Sequence, residues 1–187
     1  MRFTLTGSLL AFGILVSGHA LADFKAADAA ALETDASAAV ATFQSQTSEA
    51  ETLLNNAKGV LICPKITKGG FIVGVEGGKC TLRVGGKTVE YYRTRSGKLG
   101  LLAGIQSYSM ILVFNQQAAL DTFRTGEREW EVGVDASVAV AEVGASGKMD
   151  TTNLQEAIVA FVFGEKGLMA DLSLEGSNFK KITVEDK

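Results

Sequence analysis

Histidine is almost missing from this sequence. Among 187 residues there is only His19. That removes the usual partner of an activated Ser or Cys nucleophile and the commonest nitrogen ligand of a metal. Proline is equally scarce, with Pro64 alone, so Pro-rich linkers are excluded. The two cysteines, Cys63 and Cys80, lack C-x-x-C redox spacing. Neither sign of charge dominates: 18 Lys+Arg stand against 21 Asp+Glu, a net of −3. A dedicated nucleic-acid binder needs a cationic excess that is not here. No apolar run reaches the ~20 residues that cross a bilayer as a helix. What is present, 47% apolar and 21% charged residues with 21 glycines, suits a folded domain with many tight turns.

The N-terminus reads as an export signal over residues 1–22. Arg2 supplies a positive start, Leu9 to Val16 an apolar stretch, and Ala20-Leu21-Ala22 an A-x-A cleavage site. The stretch is too short for an anchor, and no Cys near Ala22 offers a lipid attachment point. The expected location is periplasmic or secreted. Cleavage would carry away His19, leaving carboxylates, Lys, Tyr or Cys for any chemistry.

Residues 23–57 are Ala-rich with apolar residues at helical intervals: Phe24, Ala27, Leu32, Val40, Phe43, Ala50, Leu54 and Ala57. Ser48 and Glu51 have capping-box spacing, so two helices broken near Thr47 are expected, with Gly59 as the stop. Residues 58–187 form a β-rich core, one domain with the helical segment. Gly pairs at 69–70, 77–78 and 85–86 punctuate six-residue runs. Read as hairpin turns, they give strands at 60–68, 71–76, 79–84 and 87–95. In that register Val73, Val75, Leu82, Val84, Val89, Cys80, Phe71 and Tyr91 share the core face. Lys65, Lys79, Thr81, Arg83, Glu90 and Tyr92 share the other. Further strands are expected at 99–105, 108–114, 130–134, 137–143, 158–163 and 168–174. Asn115 would cap a helix through Phe123 ended by Gly126, with another helical turn at 151–157. The fold class is α+β: an N-terminal helical segment, then an antiparallel β-meander closing into a barrel or sandwich.

Motifs for chemistry are weak. Gly85-Gly86-Lys87-Thr88 has the end of a P-loop but Thr81 where the first Gly belongs. Glu127, Glu129 and Glu131 alternate around Trp130 with Asp135 nearby, the pattern of a wet strand face rather than a catalytic carboxylate pair. No G-x-S-x-G elbow occurs. We therefore expect no enzyme, no cofactor, no metal and no nucleic-acid partner. In an oxidising compartment Cys63 and Cys80 invite a disulfide. The simple register puts them on opposite faces; a bulge at Pro64, which cannot donate to a ladder, would reverse that parity. Both a bridge and two separate thiols stay open.

Charge is distributed unevenly. Residues 58–98 hold nine basic residues and two acidic ones, a net of +7, between acidic flanks. Lys65, Lys68, Lys79, Arg83, Lys87, Arg93 and Arg95 are the candidate anion-binding residues, with Tyr91 and Tyr92 among them. Cations beside aromatics suit a phospholipid interface; a solvated face neutralised by the acidic flanks is the bland alternative. Whether the N-terminal helices dock on the sheet or enter a membrane is open, although the acidic polar side favours docking.

The run Leu53-Leu54-Asn55-Asn56-Ala57-Lys58-Gly59-Val60-Leu61-Ile62, followed by Pro64 to Phe71, resembles the opening of the SYLF domain. So do Gly97 to Gln106, Trp130 to Ser137, and Gly164 to Gly176 with Leu172-Ser173-Leu174-Glu175-Gly176. The blocks occur in order over about 50–182. The resemblance implies a non-enzymatic domain that binds membranes, in eukaryotes through phosphoinositides, and in yeast members binds actin filaments too. Export would take the chain away from actin and phosphoinositides and leave an anionic phospholipid as the nearest substitute. A barrel carrying a small apolar ligand, lined by Leu82, Val89 and Phe71, is one alternative. A self-associating envelope protein using exposed strand edges is another.

Overall fold

A computed structural model describes residues 24–70, 73–99, 104–126, 128–143, 154–164 and 174–185. The export segment at 1–22, Phe71, Glu127 and the strand expected at 168–174 (Leu174 excepted) lie outside these residues.

The helical segment forms α1 (Ala26–Gln46) and α2 (Ala50–Asn56). In α1 the buried stripe is Ala29, Leu32, Ala36, Ala39 and Phe43, spaced by three and four. Three alanines in that stripe let the helix axis lie close to the sheet. The chain breaks at Thr47, whose carbonyl accepts from Ala50 N–H. Ser48 does not cap α2: its hydroxyl donates to the Glu49 carboxylate, and Glu49 occupies the N-cap. Gly59 is not a helix stop either. It opens the first strand, where a Cβ would lie 2.7 Å from Leu120 Cδ1.

The strands are β1 (Gly59–Gly70), β2 (Val73–Val84), β3 (Lys87–Leu99), β4 (Gly104–Phe114), β5 (Trp130–Glu131), β6 (Ala139–Glu142), β7 (Ile158–Gly164) and β8 (Asn178–Ile182). A third helix, α3 (Gln117–Thr125), follows β4. Asn115 does not cap it. Its side-chain amide donates to the carbonyls of Leu154 and Glu156 and so ties down the chain before β7. The strands make one sheet in the order β5-β8-β3-β2-β1-β4-β7-β6. Among the described residues it is a half-barrel with β5 and β6 as its outermost strands rather than a closed barrel or sandwich, and it is mixed rather than purely antiparallel, because β6 runs parallel to β7. The segment between them is long enough for the crossover that a parallel neighbour requires.

The glycine pairs do different work. Only Gly85-Gly86 is a hairpin turn, with φ of +57° and +78°, the conformation a tight two-residue turn needs. Gly77-Gly78 lies inside β2, which runs unbroken for 12 residues. A Cβ on Gly78 would sit 2.5 Å from the Lys65 carbonyl oxygen, so this glycine answers a close backbone approach from β1. The register changes accordingly: Cys80 pairs with Tyr92 and Leu82 with Glu90. An irregularity between Leu82 and Arg83 leaves Val89 unpaired and exposed. Val75 is also exposed, and Tyr92 rather than Tyr91 enters the core.

One face of the sheet, here the inner face, carries the main core. Leu61, Leu82, Tyr92, Met110, Leu112, Phe114, Val162 and Phe179 pack there, closed over by Leu120 and Phe123 of α3 and by Trp130. Phe123 is the hub, with the Tyr92, Phe114, Trp130 and Phe179 rings 4.6–5.9 Å away. On the outer face α1 crosses the strands. Phe43 stacks on Phe161 and Phe163, while at the other end Phe24 and Leu32 meet Tyr91, Ile182 and Val184. Glu185 N–H donates to the Phe24 carbonyl, joining the two ends of the fold.

Candidate functional site

Beside α1 on the outer face, four cations stand in one row across four strands. Lys65 on β1 pairs with Lys79 on β2, Lys79 with Arg93 on β3, and Arg93 with Lys180 on β8. Paired residues point to the same face, and adjacent strands are ~4.8 Å apart, so Lys65 and Arg93 are separated by only ~10 Å of backbone. Like charges directly opposite each other destabilise a sheet. Arg95 sits two residues beyond Arg93 on the same face. Among the described residues Lys65, Arg93 and Arg95 have no acidic partner within 4.0 Å. Arg93 Nε is shielded from solvent and has no hydrogen-bond partner among the described residues. Lys79 Nζ lies 4.7 Å from the centre of the Phe24 ring, which holds the ammonium over the aromatic face. Lys180 is loosely held, 3.8 Å from the Glu129 carboxylate with both side chains about half exposed.

The other three candidates from the sequence are elsewhere. Lys68 points to the inner face, where it pairs with Glu76 at 3.4 Å in a nearly dry setting. Tyr108 donates its hydroxyl to the same carboxylate; burial and that carboxylate push its phenol well above the ordinary range. Arg83 lies at the flank of α1, bonded to Glu33 and Ser37. It fastens the helix to β2. Lys87 follows the Gly85-Gly86 turn, away from the row. Lys180 was not legible as a candidate, because β8 carries no alternating apolar pattern and its pairing with β3 is a long-range event.

Cys63 and Cys80 form a disulfide. The β1–β2 register shifts between Ile62 and Lys65, around Pro64. The bulge turns Cys63 inward to meet Cys80 and turns Lys65 outward to meet Lys79. The Pro64 carbonyl accepts from Ser109 Oγ at 2.7 Å, which pins the bulge to β4.

Two hollows flank the row. One, between α1 and β1/β4, is lined by Asp35, Thr42, Lys65, Ser107 and Ser109. The other holds Phe24, Lys79, Arg93, Arg95 and Ile182. It opens beside a groove of about 880 Å³ that Arg95 also lines.

The remaining charged clusters are structural. Glu90 accepts from Tyr92, Arg124 and Lys181. Burial raises its pKa, but the bonds from Arg124, Lys181 and Tyr92 outweigh it and hold the carboxyl at about 2. The same group ties α3 to β3 and β8. Asp135 pairs with Arg128 and accepts from Glu131 N–H, so it shapes a turn. Among the described residues no cluster of metal-ligating side chains occurs, and no helix is long and apolar enough to cross a membrane. Of the residues expected to line an apolar-ligand cavity, Leu82 is packed in the core and Val89 faces solvent, while Phe71 lies outside the described residues.

Comparison with known proteins gives one family. The model named Ysc84, described as Las17-binding protein actin regulator, matches residues 95–186. No curated protein matches the chain. The match takes in the similar blocks at 97–106, 130–137 and 164–176 but not the opening block at 53–71. Its boundary falls inside β3, and β1 lies between β2 and β4 in the sheet, so the matched residues and those before them share one fold. Residues 95–186 of this chain belong to the Ysc84 (SYLF) family.

Proposed function

We propose that the chain is an exported, non-enzymatic module that binds anionic phospholipid head groups at a membrane surface. Lys65, Lys79, Arg93 and Arg95 contact phosphate, with Lys180 at the end of the row. The observation that carries this reading is the cationic row itself, in which Lys65, Lys79 and Arg93 have no acidic partner within 4.0 Å among the described residues. The fold sets three cations directly opposite one another, an arrangement that costs stability in the free protein and is relieved by a bound anion. The family's printed role concerns an actin regulator that binds Las17; for an exported chain, lipid is the partner this surface suits. The non-enzymatic reading is supported by the sequence, whose only histidine lies in the expected signal. Self-association through sheet edges draws no support from β5 and β6, which are only two and four residues long.

Co-sedimentation with phosphatidylglycerol and phosphatidylcholine vesicles at low and high salt tests the proposal. Binding to the anionic vesicles alone, weakened by salt and by substitution of Lys79 and Arg93, is expected. Binding indifferent to both lipid charge and these residues overturns it.

A further inference from the structure

The groove of about 880 Å³ beside the cationic row has an unusual floor. Gly69, Gly77 and Gly97 stand on the outer face of three adjacent strands: Gly69 and Gly97 both pair with Val75, and Gly77 pairs with Thr67 and Arg95. Strand glycines often answer a positive φ or a close neighbour, and Gly78 is of the second kind. Gly77 and Gly97 are neither. Neither has a positive φ. A Cβ on Gly97 would meet nothing within 4 Å, and one on Gly77 would meet only the Thr94 carbonyl oxygen, at 3.5 Å. Glycine weakens a strand interior and often marks a bulge, a bend or a place where a ligand lies against the backbone; no register shift falls at Gly77 or Gly97. Val75, 64% exposed, is the apolar side chain standing in the groove. Arg95 lines both this groove and the cationic hollow, so the apolar floor continues directly into the anion-binding row.

We infer that the groove takes the acyl chain of one anionic lipid whose phosphate is held by Lys79, Arg93 and Arg95. This rests on the head-group reading above and deepens it. The protein then holds a single lipid molecule, head on the cations and chain along the bare backbone, rather than only adhering to a charged surface. Apolar contact supplies what charge alone does not: dependence on chain length, and a fixed stoichiometry.

The experiment is calorimetric titration of the purified chain with monomeric lauroyl-lysophosphatidylglycerol, its decanoyl analogue and glycerol 3-phosphate. One lysolipid per chain is expected, with affinity falling up to about fourfold per methylene removed, the equivalent of ~0.8 kcal/mol for a buried CH2. Glycerol 3-phosphate should bind far more weakly. Gly97→Leu, whose side chain has room to fold in place, should lower lysolipid affinity by about tenfold or more while leaving sedimentation with phosphatidylglycerol vesicles within about twofold. Unchanged lysolipid affinity in both Gly97→Leu and Gly77→Leu, or equal affinity for the two chain lengths, overturns the groove assignment while leaving vesicle adsorption intact. Loss of charge dependence in the vesicle assay overturns the head-group reading, and this one with it.

Discussion

Lys65 lies directly across from Lys79, although the turn positions read from the sequence set it opposite Gly74. The difference lies in the place of the turn: Gly69 and Gly70 are paired inside the hairpin strands, and the register runs unbroken from Gly70 opposite Gly74 to Lys65 opposite Lys79. The bulge at Pro64 comes next. One extra residue in β1 reverses the side-chain parity of the strand beyond it, bringing two ammonium groups together on the outer face and two sulfurs together on the inner one.

Neutralising the row should separate binding from folding. Lys79→Gln with Arg93→Gln is expected to weaken binding to phosphatidylglycerol vesicles by about 30-fold, two charges at ~1 kcal/mol each. Stability should stay within about 1 kcal/mol, since relief of like-charge opposition offsets the lost contact between Lys79 and Phe24. Lys87→Gln, distant from the row, should bind like the parent. Vesicle sedimentation with thermal unfolding of the same samples reads both quantities.

Removing the disulfide should cost stability. The bridge closes a loop between residues 17 apart in sequence, and a loop of that length is worth about 3 kcal/mol. Cys63→Ala with Cys80→Ala is expected to lower the urea midpoint accordingly, with the slope little changed. A midpoint equal to that of the parent would show that the β1–β2 pairing and the Ser109 bond hold the bulge unaided.

Glu90 predicts an acid-sensitive hinge between α3 and the sheet. Its folded pKa of about 2 lies below the ordinary 4.5. The stabilisation is therefore complete above about pH 4.5 and fades as the pH falls towards 2. Glu90→Gln should be less stable than the parent near neutrality, and the gap should narrow across that window. Unfolding temperatures of both proteins between pH 2 and 6 test it; parallel curves would contradict it.

Glycines of adjacent strands should respond in opposite directions. Gly78→Ala drives a methyl against the Lys65 carbonyl, 2.5 Å from the Cβ position, and is expected to destabilise by about 1–3 kcal/mol. Gly97→Ala enters open space and should stabilise by roughly 0.5–1 kcal/mol. Denaturant midpoints of the two variants decide the matter.

Phe43→Ala should loosen α1. The ring lies 5.0 Å from Phe161 and 5.8 Å from Phe163 and is fully buried. Its loss is expected to cost about 3–5 kcal/mol, with faster hydrogen exchange in α1 than in the inner-face strands.

Much of the architecture is local and was readable as such. The Ala-rich periodicity of 23–57, the break at Thr47 and the turn at Gly85-Gly86 depend on residues near one another in the chain. The concentration of cations in 58–98 was readable too. Gly77-Gly78 was not, because a glycine demanded by a neighbouring strand looks the same in sequence as one demanded by a turn. The Asn115 side chain likewise has helix-cap chemistry, but the carbonyls it finds are about 40 residues away.

By itself, then, the sequence determined the α+β class, the near-absence of nucleophile-activating groups and the basic character of one segment, since composition and short-range periodicity suffice for each. Which cations stand together was decided only by the tertiary structure. Side-chain direction in a strand alternates with every residue, so one bulge sends Lys65 to the row and Lys68 to a buried pair with Glu76. The docking of α1 removed Arg83 by giving it Glu33, and β8, from the far end of the chain, contributed Lys180.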